Sequence, residues 1–163
     1  MIGRLLAGTL FGLLALLLPA CDSVSLEKLK PGLTTMQQTQ EIMGSPAMEW
    51  QDADGSVTWE YPRMPNGIVN YMIDFGPDRI LREVRQVLTD ENFSRVKEGM
   101  TREEIHRLLG QPAHKEYFPL KKEHVWDWKT KSEGAYDYYF NVHFDESGRT
   151  MRTSTHFISL PGG

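Results

Sequence analysis

The feature that most constrains this chain is a short pattern written twice. Gly99-Met100-Thr101 is followed by Glu104, by Ile105, Leu108 and Leu109, and then by Gly110 and Pro112. Thr101 with Glu104 three residues on has the capping-box spacing, in which the hydroxyl takes the N3 amide and the acid reaches back to the cap amide. Ile105, Leu108 and Leu109 place one apolar stripe on one face of a helix. Gly110 supplies the left-handed C′ position and Pro112 blocks continuation. The first copy runs from Gly32 through Thr35 to Ile42-Met43-Gly44-Ser45-Pro46, and Gly32 and Gly99 stand 67 positions apart. It is the weaker copy. Thr39 replaces Ile105, Met36-Gln37-Gln38 replaces Arg102-Glu103-Glu104, and one more residue separates its two glycines.

The strand signals recur in the same order. Ala47 to Gln51 reads as a short strand, Asp54-Gly55 as a hairpin turn, and Ser56 to Tyr61 as a strand with Val57, Trp59 and Tyr61 on one face. Pro62 to Gly67 reads as a loop, because two prolines cannot donate ladder bonds. Val69, Tyr71, Ile73 and Phe75 alternate over the next strand, and Ile80 to Leu88 forms the last. In the second half a short helix opens at Thr89 or Asp90. Trp126-Asp127-Trp128 then matches Trp59-Glu60-Tyr61 at a spacing of 67, and Tyr138, Phe140, Val142 and Phe144 match Val69 to Phe75 at 69. The two-residue drift is placed in a loop at 130–135, and Thr150 to Ile158 is the closing strand. The expected architecture is α+β: two tandem repeats, each a short helix pair packed on a three- or four-stranded antiparallel sheet. Units of about 67 residues are marginal alone, so the two are expected to pack together.

The first twenty residues differ from the rest. One positive residue, Arg4, precedes an apolar run from Leu5 to Leu18 and then Pro19-Ala20. That order is a secretory signal peptide, and the run is shorter than the roughly 20 residues of a membrane span. Its removal takes the formal net charge from −4 to −5, a poor match for nucleic acid. The only cysteine, Cys21, follows directly and cannot form an internal disulfide. Leu18-Pro19-Ala20-Cys21 resembles a bacterial lipobox, which makes Cys21 the lipidation site and the membrane anchor. Expected boundaries are a signal peptide at 1–20, a lipidated tether at 21–25, and repeats at 26–88 and 89–163. Asp22 to Ser25 spans at most about 14 Å, so the folded part rides close to the bilayer.

Gly-Met-Thr, the short helix, Leu-Gly-x-Pro, the Trp-x-Tyr or Trp-x-Trp strand and the closing hairpin together resemble the BamE (SmpA/OmlA) lipoprotein domain. The resemblance implies a small α+β unit in a bacterial periplasm that assists the machinery folding β-barrels into the outer membrane. The β-lactamase inhibitor protein is similar in being two tandem units of this shape. A BamE domain protein has one copy, whereas this chain has two. Asp22 resembles an inner-membrane retention signal, so the outer membrane follows from the resemblance and the inner membrane stays open.

Catalytic signatures are not visible. His106, His114, His124, His143 and His156 show no HExxH or paired ligand spacing and read as solvated or edge side chains. No GxSxG, P-loop or dinucleotide fingerprint occurs. Glu60 and Asp127 sit at equivalent repeat positions and, alternating with core aromatics, are expected to point outward on separate sheets. The chain is therefore read as non-enzymatic, with no cofactor, metal, nucleic acid or small-molecule substrate. Trp59, Trp126 and Trp128 read as core. Candidate partner-binding residues lie beside prolines or off the repeat core: Trp50, Tyr61, Arg63, Met64, Tyr117 and Phe118, since exposed aromatics and arginine dominate binding hot spots. The expected role is a membrane-anchored interaction module in barrel assembly or envelope maintenance. The alternative is an inhibitor-like module that occludes an envelope enzyme.

Overall fold

The structure, a computed structural model, describes residues 21–160, with side chains from residue 25 onward. The expected signal peptide at 1–20 and the Cys21 side chain lie outside the described residues. Among the described residues no helix is long and apolar enough to cross a membrane.

Thr35 and Thr101 each open a helix by the same device. Each hydroxyl accepts from the backbone N–H three residues on, and the Gln38 or Glu104 side chain returns to the cap amide. Between these caps and the sheets the element order occurs twice. Helices α1 (Cys21–Lys28) and α2 (Met36–Met43) precede β1 (Met48–Gln51), β2 (Val57–Pro62), β3 (Asn70–Phe75) and β4 (Leu81–Gln86). Helices α3 (Asp90–Ser94) and α4 (Arg102–Leu109) precede β5 (His114–Phe118), β6 (Glu123–Glu133), β7 (Tyr136–Phe144) and β8 (Thr150–Ser159). Each sheet has four antiparallel strands in chain order, an α+β fold. The backbone of residues 21–25 is part of helix α1 (Cys21–Lys28).

Equivalent bonds hold the two units. Tyr61 donates its hydroxyl to the Gly44 carbonyl at 2.9 Å, and Trp128 its indole N–H to the Gly110 carbonyl at 3.0 Å. Ala47 N–H donates to Glu60 O, as Ala113 N–H does to Asp127 O. Thr35 bridges Ile80, as Thr101 bridges Arg149. The additional residue of the first copy falls between Gly32 and Thr35, where Leu33 is 76% exposed, and leaves the helix itself unchanged.

One face of the first sheet presents Trp59, Tyr61, Ile73 and Phe75 to Leu26, Met36 and Ile42 of its helices. One face of the second presents Trp128, Val142 and Phe144 to Ile105 and Leu109 of α4. Of the expected core, Tyr71, Trp126 and Phe140 are only half-buried. Trp126 sits outside the centre that Trp128 fills, edge-on to Phe144 and beneath the Lys115 ammonium at 4.3 Å. Alternation sends Glu60, Asn70 and Met72 to the reverse of the first sheet, yet all three are fully buried, because α4 covers that reverse face. Among the described residues the layers therefore run helices, sheet, helices, sheet, and the reverse of the second sheet ends the stack. The expected loop at 130–135 is instead strand: β6 and β7 continue to a turn at Gly134-Ala135, with a bulge between Lys129 and Lys131.

Candidate functional site

The layered order decides where the expected partner residues fall. Trp50 is half-buried at the junction of the units, its ring edge-on to His106 at 5.1 Å with the Arg107 guanidinium 4.6 Å above it. Arg107 also pairs with Asp52 at 3.0 Å. Tyr61 is not a surface residue: it is 3% exposed, sharing the core face with Val57 and Trp59, and its hydroxyl closes the end of α2. Met64 packs against the second core. Arg63 is half-buried and donates to the Pro62 carbonyl at 3.3 Å. Tyr117 and Phe118 are exposed, 43% and 37%, but they lie on the edge strand β5 and not in a loop. The structure thus brings Trp50 and Met64 to the interior seam and leaves Tyr117 and Phe118 on the open rim.

Glu60 corrects a second expectation. It does leave the core face, but what lies there is α4. The Gln111 N–H donates to its Oε1 at 2.5 Å, and His106 Nε2 stands 3.0 Å from Oε2. Asn70 completes the clasp, its Nδ2 donating to the carbonyls of Leu109 and Gln111, both at 2.9 Å. Among the described residues no helix covers the equivalent acid of the second unit, Asp127. It is half-buried, faces His114 Nδ1 at 3.4 Å, and burial pushes its carboxyl above the usual range despite His114 and His156.

Sheet register assembles a polar group on this terminal face. His114, Asp127, Asn141 and Ser154 form one row across β5 to β8, and Val125, His143 and Arg152 form the next. A cavity of about 580 Å³ opens beside these rows, lined by His114, Val125, Asp127, Asn141 and His143 of them and by Phe118 and Ile158, with Ser154 behind Asn141 and His143. His143 lies between Glu123, which its Nδ1 meets, and the Ser154 Oγ, 2.7 Å from its Nε2. Arg152 donates to the same Glu123 oxygen at 2.6 Å. Asn141 donates to Ser154 Oγ at 3.0 Å and accepts from His156 Nδ1 at 3.0 Å. Burial pushes the Glu123 carboxyl up, but the His143 hydrogen bond, with the charges of His143, Arg152 and Lys121, outweighs it and holds the group below the ordinary carboxylate value. Burial pushes the His143 imidazole down, more than the Glu123 hydrogen bond restores.

Sequence spacing alone misses this group, because Glu123, His143 and Ser154 come from three strands. The available signal was the polar half of the alternation: Asn141 and His143 face away from Phe140, Val142 and Phe144, and a sheet whose reverse is polar on consecutive strands gathers those side chains.

The helix-pair-on-sheet architecture does not by itself define a role, and sequence comparison adds to it. Residues 86–153 match the family model described as Outer membrane protein assembly factor BamE domain, a stretch from the last residue of β4 to the first four residues of β8. No curated protein matches. Among solved structures, a DUF4309 family protein (YjgB) from Bacillus subtilis subsp. subtilis str. 168 shares 14% identity over 82% of this chain and 83% of its own, with a TM-score of 0.31.

Proposed function

We propose that this chain is a periplasmic lipoprotein, anchored through Cys21, that acts as a protein–protein interaction module in outer-membrane β-barrel assembly or envelope maintenance. The observation that carries the reading is the BamE domain match over 86–153. The leader at 1–20 and the cysteine after it support the anchor. The paired capping boxes, the paired Tyr61 and Trp128 bonds and the paired bridges support an origin as two tandem repeats, 26–88 and 89–163. The role needs no cofactor and no nucleic acid. Partner contact falls to the open rim at Tyr117 and Phe118, since the seam has already consumed Trp50 and Met64.

The test is expression of the tagged full chain in a Gram-negative host, followed by membrane fractionation and crosslinked purification. The expected outcome is outer-membrane recovery with barrel-assembly components, reduced by Phe118→Ala at unchanged stability. Cys21→Ser should release the chain into the soluble periplasm. Recovery of a single envelope enzyme in stoichiometric amount would replace the assembly role with the inhibitor-like one.

A further inference from the structure

The terminal sheet face holds a hydrogen-bonded chain that an interaction role does not use. Ser154 on β8, His143 on β7 and Glu123 on β6 stand in the order nucleophile, imidazole, carboxylate. We propose that Ser154, His143 and Glu123 form a nucleophilic relay that cleaves a small carboxylic ester bound in the adjoining cavity. This activity goes beyond the interaction role, and Phe118 borders both the rim and the cavity.

The proton positions follow from the donors available. Glu123 accepts from Arg152 at 2.6 Å and, ionised, has no proton to offer. The hydrogen on the His143–Glu123 contact therefore sits on Nδ1. A neutral imidazole then has a lone pair at Nε2, and the Ser154 hydroxyl donates into it at 2.7 Å. That is the arrangement of an activated serine: a base within hydrogen-bond reach of the nucleophile, itself oriented by a third group. Such relays are recognised by geometry and role, since the same constellation occurs on unrelated folds. Burial keeps His143 neutral near pH 7, able to take the hydroxyl proton.

Three further features fit a reaction site. Glu123 and His143 are 4% and 9% exposed, so adjacent strands of one sheet hold both groups in place. Ser154 is half-buried and bonds to Asn141 and His143, which both line the cavity. The Asn141 Nδ2, 3.0 Å from Oγ, holds the hydroxyl oxygen in place beside His143. The cavity, about 580 Å³, falls within the roughly 300–1,000 Å³ of small-molecule sites. Val125, Phe118 and Ile158 give it an apolar side suited to a short acyl chain.

The chemistry balances without a cofactor. The Ser154 Oγ bonds to the ester carbonyl carbon while its proton passes to His143 Nε2. The carbon–oxygen bond to the leaving alcohol breaks, and that oxygen takes the proton back. Water then attacks the acyl-serine by the same route, releasing the carboxylic acid and restoring the hydroxyl. Glu123 acts through His143 as a positioning residue.

The same bonds would form if the cluster merely satisfied buried polar groups, and the experiment separates the two. Purified full chain is treated with a fluorophosphonate, which phosphonylates activated serines, and the adduct is mapped by peptide mass spectrometry. The expected result is one adduct, on Ser154. p-Nitrophenyl butyrate hydrolysis should rise with pH through a midpoint below the ordinary histidine value and vanish in Ser154→Ala. Glu123→Gln should slow turnover at least tenfold and shift that midpoint, which loss of a merely structural contact would not do. Wild-type chain that takes no adduct at Ser154 overturns the proposal, as does an adduct that persists in folded His143→Gln. The first reading needs no variant, so a poorly folding mutant cannot rescue the idea. Partner capture by Ser154→Ala should stay at the wild-type level, so failure here and failure of the interaction role are told apart.

Discussion

Glu60→Ala should uncouple the two units, and its cost can be worked from the contacts. The change leaves the Gln111 N–H without its 2.5 Å acceptor and His106 without its 3.0 Å partner, in a place where Glu60 is fully buried. Leaving the part-buried Gln111 amide without its acceptor costs about 1–3 kcal/mol, and so does the loss of the His106 hydrogen-bond partner. Both losses come from one carboxylate and overlap, so the expected total is about 2–4 kcal/mol rather than their sum. At roughly 2–4 °C per kcal/mol for a chain of this size, Tm falls by on the order of 10 °C. Asp127→Ala is the matched control, because the same repeat position there faces an open layer. Its side chain is 16% exposed with His114 at 3.4 Å, burial already disfavours its charge, and the loss should be about 1 kcal/mol or less. Glu60→Gln should fall between, keeping an acceptor for Gln111 but losing the charge. Urea unfolding followed by both circular dichroism and tryptophan fluorescence measures all three. Equal costs for Glu60→Ala and Asp127→Ala would refute the clasp, since α4 would then contribute nothing at Glu60.

Trp128→Ala should cost about 3–5 kcal/mol, because the ring is fully buried and its N–H holds the Gly110 carbonyl; a smaller loss in urea melts would take it out of the second core. Gly110 has φ 73° and ψ −171°, a region reserved for glycine, and an added Cβ would meet Asn70 Nδ2 at 2.7 Å. Gly110→Ala should therefore cost at least about 1–3 kcal/mol in thermal unfolding and disturb the seam as well as the helix end. The depressed His143 pKa makes stability depend on pH with a definite sign. The unfolded histidine, near 6.5, binds its proton before the folded one does, so the contribution is complete above about 6.5 and is lost as pH falls through the lower folded value. Unfolding free energies between neutral pH and pH 5 should fall more steeply in wild type than in His143→Gln.

Both helix ends of α4, the two sheets and most of the core were legible because each rests on local chemistry. Thr101 and Glu104 form their box within one turn, Trp59, Ile73 and Phe75 alternate on adjacent strands, and the Asp54-Gly55 turn that joins β1 to β2 is local as well. What the chain could not show was the order of layers. Glu60 and Asp127 are indistinguishable by pattern, yet one is sealed beneath α4 and the other faces the cavity. Tyr61 was ambiguous for a related reason: its neighbour Pro62 marks a strand end, while its own parity assigns it to the core, and parity prevailed because the hydroxyl could reach the Gly44 carbonyl. The relay needed register across β6, β7 and β8, a non-local quantity that a bulge between Lys129 and Lys131 shifts further.

A stack of helix and sheet layers must end somewhere, and the chemistry of its last face follows from that. The reverse of the first sheet can bury Met72 and Asn70 because the end of α4 and the residues after it cover that face, the Leu109 and Gln111 carbonyls both accepting from Asn70. Among the described residues nothing covers the reverse of the second in this way, so a wholly apolar face there would be open to aggregation, and terminal units of stacked repeats keep a polar outer side for that reason. Val142 and Phe144 point inward, leaving Asn141 and His143 outward between strands that bring Glu123, Arg152 and Ser154. Polar side chains crowded on a tightly packed sheet cannot each be solvated, so they must bond to one another. A carboxylate that pairs with an imidazole, which in turn takes a hydroxyl, is one way to close such a network. It also aligns a base with a nucleophile. The need to finish the stack with satisfied polar groups thus creates the conditions for the relay, and whether the Ser154 oxygen is reactive depends on the lone pair that Glu123 fixes at His143 Nε2.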